Sequence, residues 1–260
     1  MNLKYIFGDR KRIFKILTAN ILLLFVKYLS CRSITFLTKE DAIAYFFGGL
    51  FLEDVTEIFS ATSHVLYVIA VIGLISLPIV DEIKEIYIYV VTRKVKKLHI
   101  VKMIFLKSCA YSLIFTLFGY ISVISFLGSL VFNLKIILIH FLMTLSIVLF
   151  AILGLFLTDA KISLPFVISV NFIPYVFLGV FIKTGLSIDF LKIFRIIPFT
   201  GGNYNFYNSF SFKFGGNVEK IVTNSISNSN AFIIIYQTVF IFIMTFLIYI
   251  CMKRERKYED

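Results

Sequence analysis

Residues 136–157, IILIHFLMTLSIVLFAILGLFL, decide the fold. The run holds no Asp, Glu, Lys or Arg, and it reaches the roughly 20 apolar residues that an α-helix needs to cross a hydrocarbon layer. Runs of the same kind lie on both sides of it, at residues 13–30, 58–80, 104–127, 163–182 and 231–252. The first has Lys15 and Lys27 near its ends, which must snorkel to the interface. Across the 260 residues, 59% are apolar, above the usual share of about 45–50% in soluble domains. The expected fold is therefore an all-α integral membrane protein, one domain over residues 1–260 with six transmembrane helices. No secretory cleavage pattern accompanies the first run, so it is expected to be retained as a span.

Lys and Arg orient the spans, because short cytoplasmic segments carry an excess of them. They gather before the first span (Lys4, Arg10, Lys11, Arg12, Lys15), after the second (Lys84, Arg93, Lys94, Lys96, Lys97, Lys102) and after the sixth (Lys253, Arg254, Arg256, Lys257). With six spans all three clusters share one side, the cytoplasm, and both termini lie there. The other side receives the acidic loop with Glu40, Asp41, Glu53, Asp54 and Glu57, and the Asn- and Ser-rich extracellular segment 183–230. A net charge of +11 distributed this way serves topology, and nucleic acid is not an expected partner.

Three stretches are patterned without being long enough to cross. Residues 1–12 begin a basic amphipathic helix on the inner leaflet, with Leu3, Ile6 and Phe7 continuing into Ile13, Phe14 and Leu17 at helical spacing. Residues 42–52, AIAYFFGGLFL, form an interfacial or re-entrant helix. Residues 188–197 repeat the amphipathic pattern on the outer side, where Asp189, Lys192 and Arg195 make one stripe before Pro198 ends it. Cys31, Cys109 and Cys251 are far apart and offer neither a disulfide framework nor a zinc spacing.

Ionisable residues inside a membrane mark functional sites, and few are present. Lys107 lies a few residues into the third span, where it lines a path for an anionic group or snorkels to the inner interface; both readings are open. His140 lies near the outer end of the fourth span and reads more readily as packing than as a site. Asp81 and Glu82 read as a solvated helix end. Pro165 and Pro174 bend the fifth span or free its carbonyls for gating, or serve packing alone. Zinc-protease, nucleophile-elbow and phosphate-loop motifs are missing, and Gly179–Thr184 (GVFIKT) lacks the glycine that a phosphate loop needs before its lysine. No catalytic residue and no metal site is expected.

The loop 81–102, DEIKEIYIYVVTRKVKKLHIVK, runs from an acidic start through an apolar run into a basic amphipathic segment. Together with the basic amphipathic N-terminus, the six spans and the long outer segment containing IIPFTGGNYNFYNSF (196–210), it resembles the type-2 ABC exporter permeases. Size and Phe/Ile/Lys/Asn-rich character are similar to permeases of Gram-positive peptide exporters, among them the phenol-soluble-modulin and lantibiotic-immunity types. The resemblance implies a chain in the bacterial cytoplasmic membrane that pairs with a second permease chain and rests on a cognate ATPase subunit. That partner would hold the ATP and Mg, and this chain would bind no cofactor directly. It implies a coupling helix over Glu85 to Lys102, in which Arg93, Lys94, Lys96 and Lys97 meet ATPase carboxylates, with a second contact through Arg10, Lys11 and Arg12. It implies a peptide cargo moving between the paired chains, within surrounding lipid. A non-transporting sensor or immunity protein that binds peptide or lipid at the outer surface is the alternative from another class.

Overall fold

A computed structural model describes residues 10–30, 34–36, 38–47, 58–92, 97–128, 132–183, 210–214, 217–221 and 230–254. In chain order the elements are α1 (Arg10–Ser30), β1 (Ile34–Phe36), α2 (Lys39–Phe47), α3 (Ile58–Val71), a π-helical turn (Ile72–Ser76), α4 (Leu77–Thr92), α5 (Lys97–Leu127), α6 (Leu134–Leu157), α7 (Ala160–Lys183), β2 (Phe210–Phe214), β3 (Asn217–Ile221) and α8 (Asn230–Arg254). Each of the six expected spans coincides with a helix, and α3, the π-turn and α4 form one continuous rod.

Among the described residues, four segments are long and apolar enough to cross a membrane: Thr62–Glu85, Lys97–Leu127, Leu134–Leu157 and Ile233–Met252. They mark the chain as a membrane protein. Helix α6 is the axis of the bundle, with 83% of its most apolar stretch buried against 28% for the last segment. Helices α3, α4, α5, α7 and α8 all pack on it, and α1 packs on α3 and α5. The principal core joins Val68, Ile75 and Ile79 to Ile104, Phe115, Val148, Ile152, Ile241 and Ile248.

Local chemistry sets the helix ends. Asn133 caps α6 by accepting a hydrogen bond from the Ile136 amide at 3.3 Å, and its own amide donates to the Tyr120 hydroxyl at 2.7 Å. At the other end the Thr158 amide donates to Gly154 O at 2.9 Å. Gly154 lets α6 approach α7 closely there, since a Cβ would stand 2.6 Å from Ser163 Oγ and push that hydroxyl aside. The π-turn inserts wider backbone geometry into the second span. Beside it the buried Ser76 hydroxyl donates to Val148 O on α6 at 3.4 Å.

Of the expected interfacial or re-entrant helix over 42–52, residues 42–47 fall in α2 and 48–52 lie outside the described residues; Ile43, Tyr45, Phe46 and Phe47 form a second core with Tyr120, Val123, Ile136 and Ile137. A three-stranded antiparallel sheet in the order β1-β2-β3 lies at the same end of the bundle, since α2 packs on β1 and β2. The sheet joins residues that follow the first helix to residues from 183–230. Residues 34–36, 210–214 and 217–221 therefore lie at one end. Residues 1–9, 188–197 and most of 196–210 lie outside the described residues.

Thr35 and Lys213 are directly opposed across β1 and β2. With the native cysteines replaced by serine, the pair Thr35→Cys and Lys213→Cys is expected to form a disulfide on mild oxidation, read by a gel shift after cleavage between the two. A control with Lys213 kept and Asn217→Cys instead should stay open; equal cross-linking of both pairs would contradict the register.

Candidate functional site

Polar side chains within the bundle are first satisfied locally. Thr144, Ser146, Thr238 and Thr245 donate to the carbonyl four residues back at 2.7–2.8 Å, and the side-chain amides of Asn20 and Asn171 do the same at 3.0 and 2.8 Å. This relieves the side chain without a partner helix. Other contacts cross between helices, among them Tyr67 with Thr144 at 2.7 Å and Ser146, whose one proton is shared between Leu142 O and Gln237 Oε1 of α8. Because the Thr144 proton goes to His140 O, Tyr67 is the donor in the first. Each such bond contributes on the order of 0.6 kcal/mol in a bilayer.

At the sheet end, five helices leave a cavity of about 60 Å³. Its polar lining is Asn20 and Lys27 from α1, Ser63, His64 and Tyr67 from α3, and His140 from α6. Asn20, Leu23, Leu24 and Lys27 recur at helical spacing, so one face of α1 supplies one wall. Phe46 and Phe47 of α2 close it, and Phe115, Gly119 and Val123 of α5 face α1 across it. Gly119 is the point of closest approach: a Cβ there would stand 2.8 Å from Asn20 Oδ1 and 3.1 Å from the Phe47 ring.

Lys27 fixes the roof of this cavity. Its ammonium donates to Tyr45 O at 3.2 Å and Phe46 O at 3.1 Å, two carbonyls in the last turn of α2. A cation placed there satisfies groups the helix cannot and complements its dipole. The expected snorkelling of Lys27 therefore ends on protein. Aromatic contacts hold the remaining walls: the His140 ring lies 4.1 Å from Phe47 and 5.3 Å from Tyr67, and the His64 ring lies 6.1 Å from Tyr67. His140 Nδ1 is buried with no hydrogen-bond partner. Among the described residues no carboxylate lines the cavity, and no group of three or more metal-ligating side chains is present.

The opposite end carries the other residues of interest. Lys107 is almost fully buried and its ammonium is bonded to the Glu82 carboxylate of α4. Neither reading of Lys107 from sequence included this partner, and Glu82 is more than a solvated helix end. From residue 108 to 127 α5 has no charged side chain, about 30 Å of helix, so the pair lies at one edge of a hydrocarbon-thick stretch. Beyond it α4 continues to Thr92 and α5 starts at Lys97, so the expected coupling helix over Glu85 to Lys102 is not one helix: its described part falls on the ends of two, a helical hairpin. The hairpin extends past the pair by about 15 Å on each side. Lys84, Glu85, His99 and Lys102 are exposed on it, whereas Lys97 donates to Met252 O of α8 at 3.0 Å.

Arg93, Lys94 and Lys96 lie outside the described residues. Arg10 and Lys11 are exposed at the start of α1, and the Arg12 guanidinium lies 4.8 Å over the Tyr111 ring, a cation–π contact with α5. Pro165 is exposed on α7, and that helix runs unbroken through Pro165 and Pro174. Among the described coupling residues, Glu85, Arg10 and Lys11 are exposed, and Pro165 lies on the outside of the bundle.

Sequence reasoning missed the cavity. Of its lining it had singled out Lys27 and His140, each for another role, because the walls come from segments more than 100 residues apart. No family model, curated protein or solved structure matches this chain.

The buried ion pair is asymmetric, with Lys107 at 3% exposure and Glu82 at 31%. Removing Glu82 strands a buried ammonium; removing Lys107 leaves a carboxylate that reaches solvent. Glu82→Gln is therefore expected to destabilise by on the order of 3 kcal/mol and Lys107→Met by about 1 kcal/mol. The double substitution should restore most of the loss, as read by thermal unfolding in detergent. Equal effects of the two single changes, adding up in the double, would show that the groups do not interact.

Proposed function

We propose that this chain is the membrane subunit of an ATP-driven exporter, coupled to a separate ATPase and moving amphipathic or hydrophobic peptides across a bacterial cytoplasmic membrane. The observation that carries the reading is the helical hairpin formed by the ends of α4 and α5. Beyond the Glu82–Lys107 pair the two helices continue by about 15 Å and expose Lys84, Glu85 and Lys102. A rigid helical lever continuous with two spans transmits a push made at its tip, which a flexible loop would dissipate. Between the two helices in sequence stand Arg93, Lys94 and Lys96.

In this reading α1 and α7 complete six spans, and both termini share the cytoplasmic side with the hairpin. ATP and Mg bind the ATPase. Closure of the ATPase pair pushes the hairpin, and the Glu82–Lys107 bond makes α4 and α5 move together. The π-turn at Ile72–Ser76, where the helix departs from regular geometry, is the place for the second span to bend. A second permease chain faces the first, and the cargo passes between them. Apart from Asp81, Glu82 and Glu85 at the end of the second span, the described apolar stretches hold no carboxylate, which suits an amphipathic cargo better than an ion.

The second reading is a stand-alone sensor or immunity protein that binds peptide or lipid at the outer surface. The cavity at the sheet end is the observation that favours it.

Tagged protein purified from its native membrane in mild detergent is expected to bring down a P-loop ATPase in stoichiometric amount, identified by mass spectrometry. Reversing Arg93, Lys94, Lys96 and Lys97 to Glu together should reduce that recovery at least ten-fold while membrane insertion is unchanged. Wild-type protein that is folded and consistently free of ATPase would contradict the exporter reading and favour the sensor.

A further inference from the structure

We propose that the cavity at the sheet end is a hydration site, in which a cluster of buried water bonds to Asn20 of α1 and His140 of α6 and joins the two helices from inside the bundle. The inference does not depend on what, if anything, the chain transports.

The walls come first. A cavity lined by apolar side chains alone stays dry, whereas one with enough room and several polar partners takes water. Here the volume is about 60 Å³, several times the roughly 10–15 Å³ that one water needs. Polar side chains enter it from α1, α3 and α6. His140, the one from α6, is six residues into its helix, about 9 Å from the start, so the site lies within the apolar part of the bundle.

Two of these side chains have a hydrogen-bonding atom that the protein does not meet. Asn20 is 6% exposed; its amide nitrogen donates to Ile16 O at 3.0 Å, but its Oδ1 accepts from no described residue. That oxygen sits where α1 and α5 come closest, 2.8 Å from the place a Gly119 Cβ would take. Across the cavity His140 Nδ1 is also buried without a hydrogen-bond partner, although Phe47 and Tyr67 position its ring. Most hydroxyls in these helices return to their own backbone; a carboxamide oxygen and a ring nitrogen that accept have no such recourse, and leaving them dry forfeits their solvation.

The same two atoms select the occupant. A carboxamide oxygen only accepts, so an anion beside it is repelled, while the Lys27 ammonium in the lining repels a cation. An imidazole buried beside an ammonium is uncharged and offers one nitrogen that donates and one that accepts. A neutral molecule that donates and accepts meets both groups. The volume admits on the order of four waters and leaves no room for a peptide or an alkyl chain. Such a cluster ties α1, which packs chiefly on α3 and α5, to the central α6.

The test is millisecond hydroxyl-radical footprinting of the full chain in phosphatidylcholine nanodiscs, read by mass spectrometry. Radiolysis of water oxidises the side chains that the water touches, whether that water is bulk or buried. Met143 lines the cavity and is 3% exposed; Met244 is 7% exposed and does not line it. Met143 is expected to be oxidised at least five-fold faster than Met244. The double substitution Asn20→Leu with His140→Phe, which removes both unmet atoms, should bring Met143 down to the Met244 rate. If that variant does not fold, the ratio in the wild type still decides. A wild-type ratio below five, or one unchanged in the folded double variant, would overturn the proposal.

Discussion

In hydrocarbon a backbone amide or carbonyl finds no water, so each must be bonded within the protein. That constraint shapes this molecule more than any side-chain contact. It makes every membrane-length segment a helix, and it sets the habit of Thr144, Ser146, Thr238 and Thr245, whose hydroxyls return to their own helix carbonyls. It also explains where irregularity is allowed. The sheet formed by β1, β2 and β3 has open edges and lies with α2 at one end of the bundle. The π-turn sits in the second span against buried α6, where Ser76 bonds to Val148 O.

Charge divides the two ends into different kinds of structure. At one end Lys107 and Glu82 bind α4 to α5 at the border of the apolar stretch, and the same helices continue outward as a charged hairpin. At the other, Lys27 is spent on the carbonyls of a short buried helix and so closes a cavity. One lysine makes a lever rigid; the other makes a roof. The proposed exporter draws on the first.

Much of the helical layout was legible because it is written in runs. Residues 136–157 could be nothing but a span-length helix, and AIAYFFGGLFL was too short to cross yet too apolar to be free, which agrees with α2 and its buried Ile43 and Phe47. Charge asymmetry correctly grouped the two segments that the sheet later joins. What remained hidden depends on partners distant in sequence. Nothing local pairs Lys107 with Glu82, and residue 34 has no local signal that selects residue 214. The loop 81–102 was read by its charges, whereas its apolar interior, IYIYVV, continues the helix. The cavity was the least legible feature, since Asn20, His64, Tyr67 and His140 each look like ordinary span residues until α1, α3 and α6 meet.

The chain is a helical membrane protein, and the proposed orientation puts its hairpin end toward the cytoplasm and its sheet end on the opposite side. The direct measurement is labelling of single cysteines in intact cells with a membrane-impermeant thiol reagent, on a background in which Cys31, Cys109 and Cys251 are serine. Asn205→Cys is expected to react fully from outside, and Lys96→Cys to react only after the membrane is permeabilised. Labelling of Lys96→Cys in intact cells with protection of Asn205→Cys would invert the topology, and labelling of both would contradict the separation of the two ends.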